Sequence, residues 1–413
     1  LKRKFRLVVS GGFAFIACLV AAKFLVPDFS LNFGSLQMSD ICTKLCDEEW
    51  WSTASDREIQ RVVSSSSLSS HDQYGTPPLV SAVWHEDPKA LRILLDAGAD
   101  PSIRDDSENT ALMRAAEAQN TVAVKLLLKA GADVNASRED GFTALLAVMD
   151  GKQSIGVVNA LLVAGADPNI KFGANAFTPL SYAIIYDNVE VASALIRAGA
   201  DVNMRGSYGE PLLSLAIGNA GLKLISMLVE AGADLEAKEP DRKETALFEA
   251  AFADRGDIIS LLLKAGAEVN ALNDFNATPL MQAASWSSTA TLSILLEAGA
   301  KLEVRDGNGL TAMAHAAFDG KTKNVERLAQ AGAKLDPRDE FGRTPFYLAA
   351  TMGYLETAIL LRDLGADVTA RNNDGKNSLE AAIALGNDDY VDAFDLGDSE
   401  ALQTLREIVE SNQ

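Results

Sequence analysis

Histidine and cysteine are nearly missing, with three of each in 413 residues. His71, His85 and His315 are far apart in sequence, and a metal site would want more such ligands. No segment joins a nucleophile to a nearby histidine, the pairing that covalent catalysis needs. Gly320-Lys321-Thr322 has the tail of a phosphate loop, but His315 stands where the leading glycine is required. Basic charge is short too: 37 Lys and Arg against 57 Asp and Glu, a net charge of −20. Binding to nucleic acid rests on neutralising phosphates with Lys and Arg, so the overall balance opposes it, while a local basic patch stays open. An acidic excess favours basic partner surfaces, or serves only as a solvated face that keeps a long chain soluble. These absences set the expectation of a non-enzymatic protein with no cofactor, no metal and no nucleic-acid partner.

The cysteines are as sparse in their placing. Cys18 lies in an apolar run, and only Cys42 and Cys46 remain, in "DICTKLCDEEWW". In an oxidising compartment two such thiols most simply form one disulfide. A C-x3-C spacing by itself is a weak signal, and unpaired thiols or redox or metal chemistry stay open beside it.

What the chain has in abundance is repetition. "LLLKAGAEVN" at 261–270 has near copies throughout, and the glycine of each gives a ruler: Gly98, Gly131, Gly165, Gly199, Gly232, Gly266, Gly299, Gly332 and Gly365. Successive spacings are 33, 34, 34, 33, 34, 33, 33 and 33. A period this regular means a solenoid, in which each unit touches only its neighbours. The units are numbered one to nine below by these glycines.

One unit, residues 273–305, shows the local logic. Thr278 is an N-cap and Pro279 sits at the first helical position, where its missing N–H costs nothing. Ala283 and Ala284 are small enough for a neighbouring helix to approach. A second helix is predicted over 290–297 with Leu292, Ile294, Leu295 and Leu296 on its buried face. Gly299 then ends it where a left-handed φ is tolerated.

"D-x-x-G-x-T-P-L", two alanines and "LL-x-x-GAD-x-N" together resemble the ankyrin repeat. "REDGFTALLAV", "GNGLTAMAHAA" and "DEFGRTPFYLAA" are matching openings. The resemblance covers residues 72–394 and implies an all-α repeat solenoid of about nine full repeats with short β-turn tips. The pattern departs from the family in places. No copy keeps the histidine of TPLH, and Glu108, Ala176, Lys243 and Asn276 replace the turn glycine, which should loosen those turns. Unit three carries an extra residue near Asp150–Gly151.

The organisation that follows is a leader at 1–26, a linker at 27–41, a degenerate N-capping repeat at 42–71, nine repeats at 72–371, and a C-terminal capping repeat and helix at 372–413. In the first cap Val62 and Val63 fall in the register of the second-helix leucines. In the last, Leu402, Leu405 and Ile408 form an amphipathic stripe. The leader has Lys2, Arg3, Lys4 and Arg6 before 16 uncharged residues, Leu7 to Ala22. This reads as an export signal. Extending the run to Val26 reaches the length of a membrane anchor, and "FIAC" faintly resembles a lipoprotein box. Leu1 is read either as the start of a piece of a longer chain or as a literally translated non-standard start codon. Cysteine-free repeats fit export. Resemblance to bacterial envelope ankyrin proteins implies a periplasmic location, with inner-membrane anchoring or secretion as alternatives.

In the ankyrin family partners are bound by the turn tips and by the end of the first helix. Carried onto this chain, the helix positions hold Trp84, Tyr186, Phe252, Trp286 and Phe318, and the tips hold Tyr208, Phe275 and Phe341, with Tyr74, Phe142 and Phe177 at equivalent tips. In a chain with only 7% aromatics, rings at solvent-facing positions fit interface anchors, or else each ring packs on its neighbouring repeat. The expected function is a monomeric scaffold binding another protein through its concave face. A protective envelope factor and a secreted effector acting on a host protein are the alternatives.

Overall fold

The computed structural model describes residues 45–384 apart from 46, 66–67, 73, 85–87, 150–152 and 174–176. The expected leader, linker, Cys42–Cys46 disulfide, unit-three insertion and C-terminal helix lie outside the described residues. So do His85 and Ala176. Among the described residues the secondary structure is helical, without named strands. No helix among them is long and apolar enough to cross a membrane.

Each glycine-marked unit places a short first helix before a longer second one. In unit seven these are Pro279–Trp286 and Thr289–Glu297, and in unit six Ala246–Phe252 and Gly256–Lys264. Thr110, Thr178, Thr278, Thr311 and Thr344 cap their helices with the side chain, as their position before the apolar run predicts. Gly299 closes its unit at φ 86° and Gly232 at φ 88°. Ahead of unit one, helices Glu48–Thr53 and Asp56–Ser65 add Trp51, Ile59 and Val63 to the same core, with Val62 only partly buried against it.

The second helices bury residues i, i+1 and i+4: Val157, Val158 and Leu161, then Ile258, Ile259 and Leu262, then Thr291, Leu292 and Leu295. Ile294 and Leu296 are therefore only half-buried, contrary to the expectation for unit seven. A run of leucines does not say which of them face in. First helices meet through alanine pairs such as Ala250–Ala251 and Ala283–Ala284, all fully buried. Without bulk between them, neighbouring first helices pack closely in most of the stack.

Polar bolts tie unit to unit. Asn203 donates to the Gly232 carbonyl at 3.2 Å and accepts from the Asp234 N–H at 2.7 Å. Asn135 and Asn169 repeat the arrangement, and Glu236, Glu303 and Asp336 keep its accepting half. At the tips, Asp105, Asp306 and Asp339 each accept two backbone N–H groups across the turn. Tip bonds to tip as well, through Asp274 N–H to Arg242 O and Gly307 N–H to Phe275 O. Glu108, Lys243 and Asn276 hold φ of 64°, 56° and 54°. The three described turns that lack glycine thus keep a left-handed backbone at that position.

Candidate protein-binding surface

The first helices of units six and seven stop soon after their alanine pairs, so the last residue of each projects from the end of the helix rather than into the stack. Phe252 and Trp286 are such last residues, in consecutive units. They remain 56% and 60% exposed although their rings meet at 5.9 Å between centroids, tilted by 59°. Each ring packs on its neighbour and each still offers a face to solvent. Met352 and Tyr354, at the corresponding end of unit nine, are exposed too.

Phe318, expected in the same row, is only partly exposed. Its helix end is roofed by the next unit, whose Tyr354 ring lies over Gly320, close enough that a Cβ there would come within 2.4 Å of it. Trp84 and Tyr186 are exposed at the ends of their own first helices, but unit five puts Gly218 and Asn219 between Tyr186 and Phe252. The strip therefore begins at unit six, and Trp84 and Tyr186 stand apart from it. At the tips Tyr74, Tyr208, Phe275 and Phe341 are exposed. Phe142 and Phe177 are half-buried: Phe142 lies against Phe172 and under the Arg138 guanidinium, and Phe177 lies against Tyr182.

Beside the strip is a charge arrangement that the sequence reading missed. The residue just before the alanine pair faces the tip of its own unit. In unit two it is Arg114, whose guanidinium meets Asp105 at 2.7 and 2.8 Å. In unit eight it is His315, 2.9 Å from Asp306. Burial would raise the Asp306 carboxyl, but His315 and the N–H groups of Leu310 and Asn308 outweigh it and hold it below the usual range. In unit six the corresponding pair is Glu249 and Glu239, two acids. Burial pushes the Glu249 carboxyl up to about 7, with Glu239 and Glu244 adding to the rise and Arg242 opposing it. Glu239 is raised as well, by burial first and then by Glu210, Glu244 and Asp241. The buried Ser214 hydroxyl pairs with the Glu239 carboxylate and opposes that rise. Thr245, the N-cap of the Glu249 helix, is buried and leaves its hydroxyl unused where other caps bond. The signal was legible in principle: Glu249 is the acid at a position that holds Ser81, Arg114, Ala147, Tyr182, Leu215, Gln282, His315 and Leu348 in the other units.

Among the described residues no group of three or more His, Cys, Asp or Glu could hold a metal ion. The acids around Glu249 come from that helix and from the turns before the unit-five and unit-six first helices.

The sequence profile of the ankyrin repeat matches in overlapping stretches at 79–172, 145–239, 213–306 and 298–372. The chain belongs to the ankyrin-repeat family. As an ankyrin-repeat protein it is also 27% identical over 224 residues to the E3 ubiquitin-protein ligase KEG of Arabidopsis thaliana. That match takes in 51% of this chain and only 12% of the relative. Ankyrin repeats generally mediate protein–protein interaction.

Proposed function

We propose that the chain is a non-enzymatic scaffold, nine full repeats between two degenerate caps, that binds one partner protein through the strip begun by Phe252 and Trp286. The observation that carries this reading is the contact pair itself. Two large rings in adjacent units stay more than half exposed, and aromatic anchors of this kind dominate binding energy at protein interfaces. Phe275, Phe341 and Tyr208 add exposed rings at the tips, and Tyr186 and Trp84 are separate exposed rings in the N-terminal units. The basic leader and the cysteine-free repeats support export to a periplasm, where the scaffold acts as a monomer.

The test is site-specific photo-crosslinking in the native cells. A photoreactive side chain at Trp286 should capture a discrete protein, and the same group at Glu297, on the exposed side of the second helix, should not. Equal capture from both positions, or none from Trp286, would defeat the assignment of the surface. Mass spectrometry of the mature N-terminus in the same preparation separates a cleaved signal from an anchor.

A further inference from the structure

One junction of the array is missing its bolt. From Asn135 through Asp336, the side chain four residues past each unit's glycine accepts the backbone N–H two residues past the next glycine, at 2.7–3.0 Å. Asn135, Asn169 and Asn203 also donate to the carbonyl of that next glycine. After unit one the place is held by Ser102, whose hydroxyl ends one bond short of a carboxamide. Among the described residues no hydrogen bond joins the Ser102 side chain to unit two. The Asp133 N–H and the Gly131 carbonyl, which a bolt would join, have no partner among them either.

The gap is a crevice of about 340 Å³, walled by Ser102, Arg104, Thr110, Asp133, Asn135 and Ser137, a volume typical of small-ligand sites. Three units on, in the same register, Asn203 replaces Ser102 and the crevice is about 80 Å³. A second short residue widens the first crevice. Ser137 stands where Lys238 does, and Lys238 crosses to the Leu272 carbonyl at 2.9 Å. Two serines thus leave room that the later junction fills from within.

The walls restrict what can enter. The Asp133 N–H calls for an acceptor and the Gly131 carbonyl for a donor, and a primary carboxamide carries both on one carbon. A carboxylate has no donor, and Glu236, Glu303 and Asp336 accordingly make only the accepting bond. It would also meet the Asp133 carboxylate, which lines the crevice and accepts the Asn135 N–H at 3.0 Å. Arg104, the cation of this wall, is already engaged, donating to the Glu108 and Ser137 carbonyls at 2.6 and 3.0 Å. The −20 net charge of the chain opposes an anion from a distance as well.

We propose that the crevice after unit one binds the side-chain carboxamide of an asparagine or glutamine in a partner protein, which completes this junction as Asn203 completes its own. The site belongs to units one and two, whereas Phe252 and Trp286 belong to units six and seven, so the two stand or fall separately.

The test uses the full chain, isotopically labelled for amide NMR, and three tripeptides Ala-X-Ala with Asn, Asp or Leu at X. Acetyl and methylamide caps leave the Asn side chain as the only primary carboxamide. The Asp133 amide reports occupancy, and the Asp234 amide, already bonded to Asn203, is the control. The Asn peptide should shift the Asp133 amide saturably, bind at least tenfold more tightly than the Asp and Leu peptides, and leave Asp234 unmoved. Ser102→Asn bolts the junction from within: the Asp133 amide should move without peptide, and affinity for the Asn peptide should fall at least tenfold. Ser137→Lys narrows the crevice from its other wall and should weaken the Asn peptide too. Equal binding of the Asn and Leu peptides, or unaltered binding by either folded variant, would overturn the site. Tighter binding of the Asp peptide would make it an anion site and overturn the carboxamide. If no peptide moves the Asp133 amide, the crevice holds water only and the proposal falls.

Discussion

Glu249→Gln should make the protein more stable at pH 8 than its parent and change little at pH 5. The carboxyl has an ordinary value of 4.5 and burial with neighbouring acids lifts it to about 7. Between those limits the unfolded chain has lost the proton and the folded chain has kept it. Folded stability therefore falls as pH rises, at about 1.4 kcal/mol per unit. The full span caps the cost at about 3 kcal/mol, and water at the partly exposed carboxylate trims it to about 1–3 kcal/mol. Below pH 4.5 both states are protonated and the cost vanishes. Glutamine keeps the size and one acceptor but cannot ionise, so it removes the pH-dependent part alone. The assay is urea unfolding of parent and variant at pH 5, 6, 7 and 8. The gap should open steadily, from less than about 1 kcal/mol at pH 5 to its full value at pH 8. A variant equally or less stable at pH 8, or a gap independent of pH, would refute the claim that Glu249 is held protonated by its surroundings.

Three other perturbations address the scaffold. Asn203→Ala removes both bonds to the next unit and should cost about 1–2 kcal/mol; unaltered hydrogen-exchange protection at the Asp234 amide would show that the bolt carries no load. Lys243→Gly relieves a φ of 56° and should raise stability by about 1 kcal/mol, against which an unchanged melting temperature would count. Gly232→Pro asks proline to adopt a φ of 88° and deletes the N–H bonded to the Val229 carbonyl. It should cost about 3 kcal/mol or more and uncouple units on either side, and a parental melt would contradict the helix-closing role of that glycine.

The scaffold was legible because its signals are local and repeated. Thr278 before Pro279, and Gly299 after a leucine run, each describe the backbone within a few residues of themselves. Reading failed where the partner lies one period away. Asn203 is part of the quoted GAD-x-N pattern, yet its bonds go to Gly232 and Asp234, and nothing beside Asn203 in sequence reveals them. The inward residues of the second helices were blurred for another reason: in "LSILLE" each leucine looks equivalent until the neighbouring helix selects Leu292 and Leu295. At the surface, most named rings are exposed as expected. Phe318 is only partly exposed, at a helix end where Tyr354 of the next unit lies against Gly320. The Glu239–Glu249 pair went unread in a chain with 57 acidic residues, where one more glutamate draws no attention until its equivalents in other units are set beside it.

The central claim is that Phe252 and Trp286 anchor a partner protein, and the most direct measurement is titration of the partner captured at Trp286 against the parent chain and Trp286→Ala, each with its thermal melt. A loss of about 2 kcal/mol in affinity, roughly thirtyfold, with an unchanged melt is the expected result, since the ring is 60% exposed. Unchanged affinity with an unchanged melt would contradict the claim, and a collapsed melt with normal binding by the folded fraction would make Trp286 a packing residue.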